Sequence, residues 1–112
     1  MTNIAAPAQK QLDAYNSRNL DEFMECYSET CFVEDGAGNV LMENKEAMRK
    51  RYELLFAESP DLHCRLVSRI VLESYVLDEE RVTGSRGSKE ERHVVAVYKI
   101  ENGLITHVRF LY

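Results

Sequence analysis

What the 112-residue chain lacks narrows its function first. It has no excess of basic side chains: 14 Lys and Arg stand against 19 Asp and Glu, mixed along the chain, for a net charge of −5. Without a basic stripe to neutralise phosphates, nucleic acid is not the expected partner. Long apolar runs are missing too. No segment approaches the roughly 18–20 apolar residues of a membrane span, and the opening MTNIAAPAQKQLDAY has no basic stretch followed by an apolar one. The expectation is a soluble, cytoplasmic protein with no membrane partner. Cys26, Cys31 and Cys64 are odd in number and have no CxxC spacing. They read as reduced thiols used as small apolar side chains, not as disulfide or zinc ligands. His63, His93 and His107 lack supporting carboxylate spacing and read as surface or interface residues, so neither a metal nor a cofactor is expected.

What is present suits one core. A hydrophobic share of 45% over this length allows a single domain, 1–112, and not two. Ile4, Ala5, Ala8, Leu12 and Tyr15 recur at helical steps and predict a helix over 3–16. Asn19 followed by Glu22 has the form of a capping box, ahead of a short helix marked by Leu20, Phe23, Met24 and Tyr27. CFVED alternates as a strand, GAGN turns the chain, and VLME is a second short strand. Asn44 can then cap a helix through Met48, Tyr52, Leu55 and Phe56 that stops before Pro60.

Beyond Leu62 four β-rich stretches follow, LHCRLVSRIVL, SYVLDEERVTG, RHVVAVYKI and LITHVRFLY, the last two joined by an Asn102-Gly103 hairpin turn. The polar run Ser85 to Glu91 reads as a mobile, solvated hairpin loop, since no helix follows that could make it a phosphate cradle. Helices first and hairpin-ordered strands after predict an α+β domain, a curved and mainly antiparallel sheet closed by three helices of the N-terminal half around a pocket. Val94, Ala96, Tyr98 and Ile100 share one face of their strand and Val95 and Val97 the other. With Ile105 and Leu111 counted on that second face, it needs a cover, and a second copy is the simplest one.

The order of elements, the segment YNSRNLDEFMECYSETCFVED and the closing VAVYKIENGLITHVRFLY resemble the nuclear transport factor 2-like superfamily. The nearest subgroups are the SnoaL-like polyketide cyclases and ketosteroid isomerase. That resemblance implies a conical α+β barrel around a deep pocket, a small organic ligand and a homodimer through the outer sheet face. It also implies that Asp35, closing VED, matches the isomerase base. Gln11 and Ala96 fall where isomerases keep a tyrosine and a protonated aspartic acid to hold the enolate oxygen. Losing one such donor costs on the order of 10²–10³ in rate, so efficient steroid isomerisation is not expected.

Asp35 has two readings. It is either a general base for a carbonyl substrate, in an isomerase, cyclase or lyase, or the residue that bonds the backbone of the GAG turn. Parity with Cys31 and Val33 directs it inward and sends Glu34 toward solvent. Tyr15, Tyr27 and Tyr52 lie on apolar helix sides, as core residues or as replacement donors. In SYVLDEERVTG either Asp78 and Glu80 or Glu79 and Arg81 face the helices, and the resemblance favours Glu79, Arg81 and Thr83. Phe110 and Tyr112 complete the candidate lining. The rival to an enzyme is a ligand-binding or assembly module of the same fold without chemistry.

Overall fold

The computed structural model describes residues 3–112. Helix α1 spans Ala6–Ser17. It begins later than its apolar spacing predicts because Pro7 occupies its first turn, where the missing N–H costs nothing. Arg18, at φ 55°, ends it in the left-handed conformation. Asn19 Oδ1 then accepts from Glu22 N (3.1 Å) to start α2, Leu20–Met24. The expected cap of α3, Lys45–Glu58, is also present: Asn44 Oδ1 accepts from Ala47 N at 2.9 Å.

The strands are β1 (Tyr27–Asp35), β2 (Val40–Met42), β3 (His63–Val71), β4 (Tyr75–Thr83), β5 (Arg92–Glu101) and β6 (Leu104–Leu111). They form one sheet in the order β2-β1-β6-β5-β4-β3. All pairs are antiparallel except β1 with β6, which is parallel. The fold is therefore α+β with a mixed, mainly antiparallel sheet. Asn102 (φ 52°) and Gly103 (φ 78°) make the predicted β5–β6 turn with two consecutive positive φ values.

The helices cover one sheet face. Met48, Tyr52 and Phe56 of α3 meet Phe23 of α2, Tyr15 of α1 and the inward residues Cys31, Val33, Val76, Ala96, Ile100 and Val108. Rings of Phe23 and Tyr52 lie 4.6 Å apart, and Tyr15 meets Phe56 edge-on at 5.6 Å. Asn16 ties α1 to β3 by bonding both polar groups of Cys64's backbone, at 2.7 and 2.9 Å. Ile105 is fully buried in this core, which corrects its assignment to the outer face: a register shift in the β5–β6 pair falls between Lys99 and Ile100 and brings Ile105 opposite Ile100.

Candidate functional site

Between the helices and the sheet lies a cavity of about 200 Å³. That is below the ~300–1,000 Å³ typical of pockets for drug-sized ligands. Gln11 and Tyr15 from α1, Tyr27 from β1, Tyr52 from α3, Glu80 from β4, Phe110 from β6 and the terminal Tyr112 are among its walls. Six of the ten residues proposed from sequence, all but Asp35, Glu79, Arg81 and Ala96, are thus brought together.

Gln11 organises the inner end. Its Nε2 donates to Ala8 O and to Tyr98 Oη, both at 3.0 Å, while its Oε1 accepts a longer bond from Tyr27 Oη at 3.4 Å. The Tyr15 and Tyr52 hydroxyls make no hydrogen bond to another described residue and open on the cavity. Desolvation raises the pKa of both phenols well above the ordinary range, so they remain donors at any working pH.

The remaining four residues require correction. In β4 the buried set is Val76, Asp78, Glu80 and Val82, so Asp78 and Glu80 face the helices and Glu79 and Arg81 do not. The two valines and the two acids share one parity, and the valines decide it. Glu79 instead bonds His93 (2.7 Å) and Ser68 (2.9 Å), and Arg81 lies 3.6 Å from Glu91. Ala96 is buried in the core beside its strand partner Asp78, outside the cavity wall.

Asp35 is not part of the wall either. Its Oδ1 accepts from Ala37 N and Asn39 N and its Oδ2 from Asn39 Nδ2, each at 2.9 Å. Those bonds, the Asn39 side chain first, hold its carboxyl below the usual carboxylate range. A general base needs the opposite shift. Parity was a poor guide here because the side chain folds into the turn it starts. Glu34 was misjudged as well: it is buried, and its Oε1 accepts from His107 Nε2 (2.9 Å) and Arg109 Nε (3.0 Å).

The acid that does enter the cavity is Glu80. Burial, and then the negative charge of Asp78, push its pKa up to about 7; the Cys64 thiol and Arg69 oppose the rise. Asp78 itself is fully buried and held by Arg69 from β3, through Nε to Oδ1 at 2.7 Å and Nη2 to Oδ2 at 3.0 Å. Arg69 also donates to Gln9 at 2.9 Å. Two inward carboxylates on one strand thus have different surroundings. Asp78 meets a bidentate arginine, and Glu80 faces open space.

Three arginines that sequence reasoning passed over, Arg51, Arg86 and Arg92, belong to the cavity lining while exposed to solvent, and so stand at its mouth with Tyr112. The Ser85–Gly87 turn beside them is pinned rather than merely solvated. Arg86 N donates to Ser59 Oγ (2.8 Å), and Arg86 Nε reaches Glu58 at 3.0 Å. Gly84 (φ 80°) comes so close to the α3–β3 connection that a Cβ there would lie 2.2 Å from Asp61 O. A glycine beside a polar loop was the one sequence signal for this contact.

The SnoaL-like domain family matches residues 8–108. No curated protein is significantly similar in sequence. Among solved structures, a cystatin-fold protein of Novosphingobium aromaticivorans is 26% identical with a TM-score of 0.92, covering 100% of both chains. An NTF2-like protein of Cytophaga hutchinsonii is 14% identical (TM-score 0.81; 98% of this chain, 89% of that one). A protein of Catenulispora acidiphila with a ketosteroid isomerase-like fold, solved with trimethylamine, is also 14% identical (TM-score 0.76; 95% and 84%).

Proposed function

Since the chain belongs to the SnoaL-like domain family, with the NTF2-like fold of its structural relatives, we propose that residues 1–112 are one domain that binds a small carbonyl compound and moves a proton on it through Glu80. The supporting observation is that Glu80 is the cavity's one acidic wall residue among those described, facing the same space as the unpartnered Tyr15 and Tyr52 hydroxyls. A carboxyl with a pKa of about 7 divides between base and acid near neutrality. It can take a proton from the carbon next to a carbonyl, the C–H pair moving into an enolate. A tyrosine hydroxyl donates to the enolate oxygen, and Glu80 returns its proton at the same or another carbon. Isomerisation, cyclisation and elimination all start this way. The reading requires no cofactor, and it gives Asp35 a turn-closing role in place of a catalytic one.

The test is α-proton exchange of a small ketone such as cyclohexanone in D₂O, followed by proton NMR. The wild type accelerates exchange, Glu80→Gln abolishes the acceleration, and Asp35→Asn retains it. Equal rates for wild type and Glu80→Gln overturn the reading.

A binding module without chemistry is the second reading. Gln11 favours it, because its amide is already committed to Ala8 and Tyr98 and is not free to hold an oxyanion. In either case we propose a homodimer through the outer sheet face, where Val95 and Val97 are half-buried and Val67 and Leu111 exposed.

A further inference from the structure

The charges around the cavity are lopsided in a way the protein as a whole is not. The chain carries five more acidic than basic groups, yet the cavity lining holds three arginines and one acid. Arg86 has a partner in Glu58. Arg51 and Arg92 have no carboxylate within 4.0 Å among the described residues, although the surface is rich in acids. Both stand at the mouth, one from α3 on the helical side and one from the start of β5 on the sheet side.

Their position relative to the inner groups is also defined. Arg51 and Arg92 are exposed, whereas Tyr52 and Glu80 are buried. The arginines therefore stand outside Tyr52 and Glu80 along one cavity. Leu55 and Phe110 supply apolar wall along the way. A guanidinium fork matches a carboxylate in shape and charge.

We infer that the cavity takes a small organic acid, its carboxylate held at the mouth by Arg51 and Arg92 and its apolar body directed toward Glu80. This rests on the proposed function for the role of the inner end, but the anion site is independent of any proton transfer. The carboxylate stays partly hydrated at the mouth, so the site discriminates by charge without burying an ion. The arginines exclude neutral steroids less than they favour short acids, and the cavity volume of about 200 Å³ limits size in the same direction.

Trans-cinnamate and trans-cinnamamide have the same shape and differ in charge, and their affinities can be compared by titration calorimetry. A charge-assisted pair lost to a neutral amide corresponds to about tenfold or more in affinity. Wild type is expected to bind cinnamate tighter than cinnamamide by that factor, with the preference shrinking as salt is added. In the Arg51→Gln/Arg92→Gln variant, both side chains being exposed, the fold is retained; cinnamamide affinity is expected to stay unchanged and the preference to vanish. Equal binding of the two compounds by wild type overturns the inference, as does a preference that survives in the variant or cinnamate that fails to bind at millimolar concentration. Failure here with Glu80 still titrating near neutrality leaves the proton-transfer reading standing. A preference retained with an ordinary Glu80 removes that reading alone.

Discussion

Replacing Glu80 by Gln removes the one charge that the cavity wall holds at a cost to the fold. In the folded chain Glu80 has a pKa of about 7 against an ordinary 4.5. The folded state therefore keeps a proton that the unfolded chain has lost, throughout the interval between those values. Stability falls as pH rises through that interval and is level above it. The difference amounts to on the order of 3 kcal/mol at alkaline pH. Glu80→Gln does not titrate, so its stability should equal that of wild type near about pH 4.5 and exceed it by up to that amount near about pH 8. In a chain of this size the gap corresponds to roughly 10 °C in Tm. Far-UV circular dichroism melts of both proteins across that range at fixed ionic strength measure it. Glu79→Gln is the control on the same strand. His93 and Ser68 lower the pKa of Glu79, so that variant should lose stability at neutral pH. Wild-type and Glu80→Gln curves that run parallel at every pH would refute the reasoning.

Asp35→Ala should lower Tm at neutral pH by freeing the Ala37 and Asn39 donors. Because the Asp35 pKa is depressed, that contribution is present above the ordinary aspartate range and lost as pH falls through the folded value, so melts of the variant and wild type should converge in acid. Arg69→Ala leaves the fully buried Asp78 without its partner and should cost about 3–5 kcal/mol in chemical denaturation. The apolar pair Arg69→Met/Asp78→Leu should recover most of that loss. Val97→Glu on the outer face should convert a dimer into monomers in analytical sedimentation, and a wild type already monomeric at micromolar concentration contradicts the pairing proposed for that face.

The architecture was legible because its signals are local. Asn19 and Asn44 cap helices, Asn102-Gly103 turns a hairpin, and Val94, Ala96, Tyr98 and Ile100 alternate inward, each within a few residues of chain. Tyr15 and Tyr52 on apolar helix sides led directly to the cavity wall, and Tyr27, expected on the second helix, reaches it from the start of β1. The parallel pairing of β1 with β6 was not readable, since it joins segments more than seventy residues apart. The acid in the cavity was missed for a related reason. Both parities of β4 carry a charge and an apolar residue, and only the buried Val76 and Val82 settle which side turns inward. The Arg69–Asp78 pair lies across a bulged β3–β4 register that alternation cannot count. Asp35 shows a different error: strand parity says nothing about a side chain that bonds the turn it starts, and Asn39, four residues on, takes its carboxylate.

The central claim is that Glu80, not Asp35, is the proton-carrying group of the cavity. Carbon-13 NMR of the side-chain carboxyls, assigned by comparison with Glu80→Gln and Asp35→Asn, titrates both in one sample. The account predicts a Glu80 midpoint of about 7 and an Asp35 midpoint below the ordinary aspartate value. A Glu80 midpoint in the ordinary range near 4.5 would contradict it.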